Sequence, residues 1–140
     1  MVLGTGLHPR PPLAAQLKKH FPLVAEDSHS PLLFVPQTGE TIFEIHERAR
    51  DFLRLFIRYL DEKHPDVRTV LLVSHAATII ALGRALSGNI QKDIRAGTCS
   101  LSQFVRNAGK KEQDELQGWD CVLNGSVDHL SGGEEVGILS

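Results

Sequence analysis

The run TVLLVSHAATIIALGRALSG, Thr69 to Gly88, places a histidine where two patterns meet. Val70 to Val73 is a continuous apolar run, and Ala77 to Leu86 has helical character. His75 stands between them, flanked by Ser74 and Ala76. Ligands of open α/β sheets collect outside the carboxyl ends of strands. A helix that starts there offers unpaired backbone N–H groups and the positive end of its dipole, which suits an anion. A protonated imidazole can donate two N–H bonds, one to a phosphate and one to a protein acceptor. Ser74 adds a hydroxyl, and the small Ala76 and Ala77 let a ligand approach the backbone. The same position also suits a structural histidine, and no catalytic triad can be assembled from its immediate neighbours.

Other chemistries find less support. No Gly-rich phosphate loop precedes His75, so a nucleotide P-loop is not indicated. His64 and His75 lack the helical spacing of a metal pair, and Cys99 and Cys121 are far apart in sequence. His8, His20, His29, His46 and His129 are scattered and are read as without chemical role. Arg95 is an additional anion contact or, more simply, a surface arginine. No metal or cofactor is expected.

The elements that must position His75 can be read from punctuation and periodicity. Residues 2–12 contain Gly4, Gly6, Pro9, Pro11 and Pro12 and form a loop. Pro12 suits the first turn of a short helix in which Leu13, Leu17 and Phe21 share a face, and Pro22 stops it. Residues 24–39 are loop-like, with Leu32 to Val35 either extended or irregular. A long helix is predicted from Thr41 to Lys63. Thr41 and Glu44 have the spacing of a capping box. Ile42, Ile45, Ala49, Phe52, Leu53, Phe56 and Leu60 fall on one face, and Pro65 closes the element.

The continuous run at 69–73 predicts a strand buried on both faces of a sheet. Helix, buried strand and helix together indicate an α/β layer fold. Gly88 is the predicted stop of the second long helix. Residues 99–106 and 119–124 read as neighbouring, antiparallel strands. Trp119, Cys121 and Leu123 alternate onto one side. Between these strands NAGKKEQDELQG has no apolar periodicity and reads as a mobile charged loop. The expected organisation is a single domain over 1–140. It comprises a loop-rich insertion with a short helix (1–40), a helix-strand-helix unit plus two strands (41–125), and a tail (126–140).

Composition sets outer bounds. The protein has 140 residues, 41% hydrophobic and 23% charged, with formal net charge -2. That is ordinary for a globular domain able to bury a core. No basic field points to direct nucleic-acid binding. Two cysteines make no disulfide framework, and no apolar run approaches the roughly 20 residues of a membrane span. The N-terminus lacks a secretory pattern. A cytoplasmic or nuclear location without membrane attachment is expected.

With these residues in view, VLLVSHAATIIALGRAL resembles the second-histidine motif of the histidine phosphatase (phosphoglycerate mutase-like) superfamily. There a buried strand ends in Ser/Thr-His-Gly or Ser/Thr-His-Ala before a helix. TGETIFEIHERARDFLRLF, with Gly39-Glu40-Thr41 and Arg48, resembles the Gly-Glu-Ser/Thr helix of that family. The pieces GLHPRPP, LKKHFP, SHAATIIALGRAL, IRAGTCSLSQF and WDCVLNGSVDHLSGGEE occur in order. Together they are similar to the branch found in fungal transcription factor IIIC (tau) subunits and related free-standing fungal proteins.

The resemblance implies a partial phosphoglycerate mutase-like three-layer α/β/α sandwich with a C-terminal β-hairpin. It implies phosphoryl transfer through a phosphohistidine. An Arg-His-Gly nucleophile, phosphate-holding arginines, a second histidine and a carboxylic acid share that work. His75 matches the second, phosphate-binding histidine, with Ser74 and Ala76 beside it. Phosphate or a phosphomonoester is the implied ligand, and transcription factor IIIC subunits are implied protein partners.

The departures are as informative as the matches. No Arg-His dipeptide occurs in the sequence. Glu40 belongs to a different motif from the acid, and the middle phosphate-binding arginine has no match. The expectation is therefore an N-terminally truncated domain with little phosphatase activity alone. In it Val70 to Val73 would present an uncovered apolar edge.

Overall fold

A computed structural model describes residues 12–24, 31–107, 116 and 118–133. The protein forms two compact units, residues 1–41 and 42–140.

The first unit carries one short helix, α1 (Ala14–Lys18). The Leu13 amide donates to Gln16 Oε1 at 3.1 Å, and the Leu13 carbonyl accepts the amides of Gln16 and Leu17. Five residues close few helical bonds, so such an element depends on packing. The apolar face expected of Leu13, Leu17 and Phe21 is not buried: Leu13 and Phe21 are exposed, and Leu17 is half-buried. Residues 31–41 are irregular, with Phe34 exposed.

The second unit begins with α2 (Ile42–Lys63), which starts directly after Thr41 as the sequence indicates. Its buried stripe is His46, Ala49, Leu53 and Ile57. The predicted stripe is rotated by part of a turn: Ile42 is exposed, and Ile57 takes a core position. Phe52 and Phe56 stack with ring centroids 5.2 Å apart. The helix ends before Pro65, and the Val67 amide bonds to the His64 carbonyl at 3.0 Å across the turn.

Residues 67–75 correct the sequence reading. They form no strand, and Val70, Leu71, Leu72 and Val73 are all exposed, Val73 at 88%. The reason is physical. A doubly apolar strand is made by hydrogen-bonded neighbours and covering helices, and no described strand pairs with this segment. The three-layer arrangement is thus not formed by the described residues.

Helix α3 (Ala76–Ser87) follows. Gly88 ends it in the left-handed conformation (φ 62°), as predicted. Its amide reaches the Ala85 carbonyl at 3.1 Å, and the Asn89 amide reaches that of Arg84 at 3.2 Å. This is a Schellman closure, which favours glycine. Ala81 and Gly83 are the buried residues of α3. A Cβ on Gly83 would meet the buried Ile94 side chain at 3.0 Å.

Strands β1 (Leu101–Arg106) and β2 (Trp119–Ser126) pair antiparallel, joining Arg106 to Trp119 and Leu101 to Ser126. Bulges lie near Gln103. On β2, Trp119, Cys121 and Leu123 are the more covered residues and Asp120 and Val122 the exposed ones, matching the predicted alternation. This antiparallel pair is the only sheet among the described residues.

The core gathers Leu53, Ile57 and Leu116, with Phe52, Leu82, Ala85, Leu86 and Trp119 against it. Leu116 sits in the charged stretch that the sequence reads as loop. The rest of that stretch, 108–115 and 117, lies outside the described residues, as does 134–140 of the tail. A single leucine between charged neighbours has no periodicity to reveal it. At the far end of α2, Arg106 donates to both carboxylate oxygens of Asp61 at 3.0 and 2.8 Å, and its guanidinium lies over the Trp119 ring. Leu53→Ala and Leu116→Ala should each lower the unfolding free energy by about 2–5 kcal/mol. A urea titration of each variant measures this; an unchanged midpoint for Leu116→Ala would remove that residue from the core.

Candidate functional site

His75 is the N-cap of α3, with extended backbone angles (φ -101°, ψ 159°) and no capping hydrogen bond from its side chain. The first helical bond runs from the Ile79 amide to the His75 carbonyl at 2.9 Å. The amides of Ala76, Ala77 and Thr78 therefore precede the helical ladder. Ser74, His75, Ala76 and Ala77 are all exposed. The three predicted site residues thus share one surface, at the positive end of a twelve-residue helix. No acidic residue occupies the first turn of α3. The arrangement suits an anion approached by backbone amides and one imidazole.

Helix α3 is fixed from its other end. Arg84 Nε donates to the Lys92 carbonyl at 3.1 Å, and Arg84 Nη1 lies 3.3 Å from His46 Nε2. His46 Nδ1 is 2.7 Å from the Ile42 carbonyl. A carbonyl only accepts, so Nδ1 carries the hydrogen and Nε2 accepts from Arg84. His46, read from sequence as one of several scattered histidines, is instead a buried link between α2 and α3. Its i, i+3 relation to Ala49 would have placed it on the core stripe.

Other candidates sit elsewhere. Arg48 lies half-buried on α2. Arg95 is tied to β2: its amide donates to Asn124 Oδ1 at 3.0 Å, while Asn124 Nδ2 donates to the Asp93 carbonyl at 3.0 Å. Among the described residues, no group of three His, Cys, Asp or Glu side chains is placed to hold a metal ion. Cys99 and Cys121 are free thiols. Cys99 occupies a turn closed by the Ser100 amide on the Gly97 carbonyl at 3.1 Å, with φ 56°, a region that favours glycine or asparagine. A shallow cavity of about 190 Å³ is lined by Thr98, Cys99, Leu130, Ser131, Gly132 and Gly133, and by none of the residues around His75.

The N-cap geometry yields a test. Asp caps helices better than His and adds a favourable charge at the dipole. His75→Asp should raise stability by about 1 kcal/mol while abolishing any affinity for inorganic phosphate. Thermal unfolding and phosphate titration of the same variant measure both effects. Tighter phosphate binding by His75→Asp would contradict the site.

Comparison with known proteins identifies the family. The pattern of the histidine phosphatase superfamily (branch 1) matches residues 12–118, a span that includes Ser74, His75 and Ala76. The transcription factor tau 55 kDa subunit of Saccharomyces cerevisiae (strain ATCC 204508 / S288c) is 33% identical over 145 residues. That match covers 86% of this protein and 33% of the yeast protein, so the sequence spans about a third of the length of the curated relative. The family match runs through both long helices and β1, and on it the protein belongs to the histidine phosphatase superfamily.

Proposed function

We propose that this protein is a phosphate-binding histidine phosphatase-type domain in which His75 serves as the second, phosphate-holding histidine. The observation that carries this reading is the N-terminus of α3, where His75, Ser74 and Ala76 are exposed together and His75 makes no capping bond. The ligand is phosphate or a phosphomonoester. Its oxygens take hydrogen bonds from the amides at the start of α3, from the Ser74 hydroxyl and from the His75 imidazole. No Arg-His dipeptide is present to supply the family's nucleophile. Loss of a nucleophile lowers turnover by at least about a thousandfold, so these residues alone hydrolyse phosphomonoesters weakly at best. In this reading the run 70–73 becomes the central strand of a three-layer α/β/α sandwich once a neighbouring strand pairs with it.

Turnover of p-nitrophenyl phosphate and phosphate-dependent shifts of the Ala76 and Ala77 amide resonances test this directly. Marginal turnover, with amide shifts that are largely lost in His75→Ala, is expected. Robust turnover abolished by His75→Ala would refute the low-activity assignment. Absence of any phosphate-dependent shift would refute the phosphate site.

A second reading, assembly through protein contacts, is favoured by a separate observation. Val70 to Val73 is an exposed apolar run, with Leu71 73% exposed. The yeast relative is named as a subunit of transcription factor tau. On this reading the protein joins a transcription factor IIIC-type assembly in the nucleus, by protein rather than nucleic-acid contacts. Val73→Lys is expected to reduce co-purification with transcription factor IIIC subunits and to leave the folded content, measured by circular dichroism, unchanged. Failure to recover those subunits even with the unaltered protein would overturn it.

A further inference from the structure

The Asn-Gly pair in the C-terminal strand carries chemistry that the phosphate site does not use. Residue 125 must be glycine for two reasons. Its φ is +65°, and a Cβ there would lie 2.4 Å from Arg95 Cβ and 2.9 Å from the Arg95 carbonyl oxygen. Residue 124 must offer both a donor and an acceptor. Asn124 Oδ1 accepts from the Arg95 amide, and Nδ2 donates to the Asp93 carbonyl, each at 3.0 Å. Through the Asn124 amide group β2 holds the segment 93–95 much as another strand would. The fold therefore requires Asn followed by Gly.

That dipeptide is chemically labile. With no side chain on residue 125, its backbone nitrogen can swing onto Cγ of the asparagine. The Gly125 nitrogen attacks Asn124 Cγ, a new C–N bond forms, and the Cγ–Nδ2 bond breaks. Ammonia leaves carrying the proton from the Gly125 amide. Water then opens the cyclic imide at either carbonyl, giving aspartate or isoaspartate at 124. The folded protein opposes the first step at each reacting atom. Oδ1 and Nδ2 of Asn124 are both engaged, and the Gly125 amide donates to Ser102 Oγ at 2.9 Å.

We propose that Asn124–Gly125 is a latent deamidation site, silent while Ser102 and the 93–95 segment hold it and unmasked when that contact opens. The consequence is one-way. Aspartate at 124 loses the donor to the Asp93 carbonyl and sets a carboxylate against it, and isoaspartate lengthens the backbone beside Arg95. Opening of this contact for long enough becomes permanent, so Ser102 guards the contact.

Three asparagines are present, and the other two, Asn89 and Asn107, precede Ile and Ala, so they serve as internal references. No Asp-Gly pair occurs to give isoaspartate before a glycine by another route. The full-length protein is incubated in mildly alkaline buffer, folded or in urea, and conversion at each asparagine is followed by peptide mass spectrometry with isoaspartate detection. Conversion at Asn124 in the folded protein should be at least about tenfold slower than in urea, because reaction must proceed through opened states. Ser102→Ala, with folding verified by circular dichroism, should convert several-fold faster than the unaltered protein. The folded-against-urea comparison stands by itself if that variant fails to fold. Asn124→Asp should lower the thermal midpoint. Equal rates in the folded and unfolded protein, or no acceleration in a folded Ser102→Ala variant, would overturn the guarded site. An unchanged midpoint for Asn124→Asp would overturn its one-way consequence.

Discussion

The orientation of α3 depends on how Arg84 is held. Its guanidinium donates to the Lys92 carbonyl and to His46 Nε2, while its own carbonyl accepts the Asn89 amide in the helix closure. One residue thus joins α2, α3 and the returning backbone. The acceptor role of His46 Nε2 follows from the Ile42 carbonyl, which fixes the hydrogen on Nδ1. Near this polar link both helices bury small residues, Ala49 on α2 and Ala81 on α3, while Gly83 lies against Ile94. The link between Arg84 and His46 selects one rotation of α3. Since His75 caps the other end of that helix, its direction is set from more than two turns away.

The C-terminal strand does a comparable service for the segment that leaves α3. Ile94 is buried under Gly83, and the flanking amide and carbonyl of residues 95 and 93 are satisfied by the Asn124 side chain. Buried apolar contact and backbone hydrogen bonding therefore act on the same three residues. This coupling explains why a polar dipeptide sits at the end of a strand whose earlier residues alternate.

Much of this was legible in the sequence where local chemistry decides. The limits of α2 follow from the residues around Thr41 and Pro65, the stop at Gly88 from glycine's freedom at positive φ, and the β1–β2 pair from alternation at Trp119, Cys121 and Leu123. What was not legible depends on partners distant in sequence. Leu116 is a core residue because it meets Leu53 and Ile57, far from it in sequence. His46 is polar by type yet buried, since its two nitrogens find a carbonyl and a guanidinium. Val70 to Val73 has strand composition without strand structure, because β structure needs another strand to complete it. At the site, sequence placed His75, Ser74 and Ala76 together at the helix start, but gave no sign of the Arg84 link that aims them.

The two long helices begin in opposite ways, and the difference bears on function. Helix α2 starts after Thr41 and carries Glu44 in its first turn, so its own sequence supplies negative charge near its positive end. Helix α3 starts after a histidine that makes no capping bond, with two exposed alanines and no acid in the first turn. For helix stability alone, serine or aspartate at 75 and glutamate soon after would serve better. Each of those residues would also fill or repel the place where an anion would bind. The sequence of α3 forgoes local stabilisation at the end that faces solvent, while its opposite end is secured by a glycine closure and a doubly bonded arginine. A helix built only to pack would need stability at both ends. An N-terminus left open in this way draws its rigidity from elsewhere, here from Arg84 and the Gly88 closure.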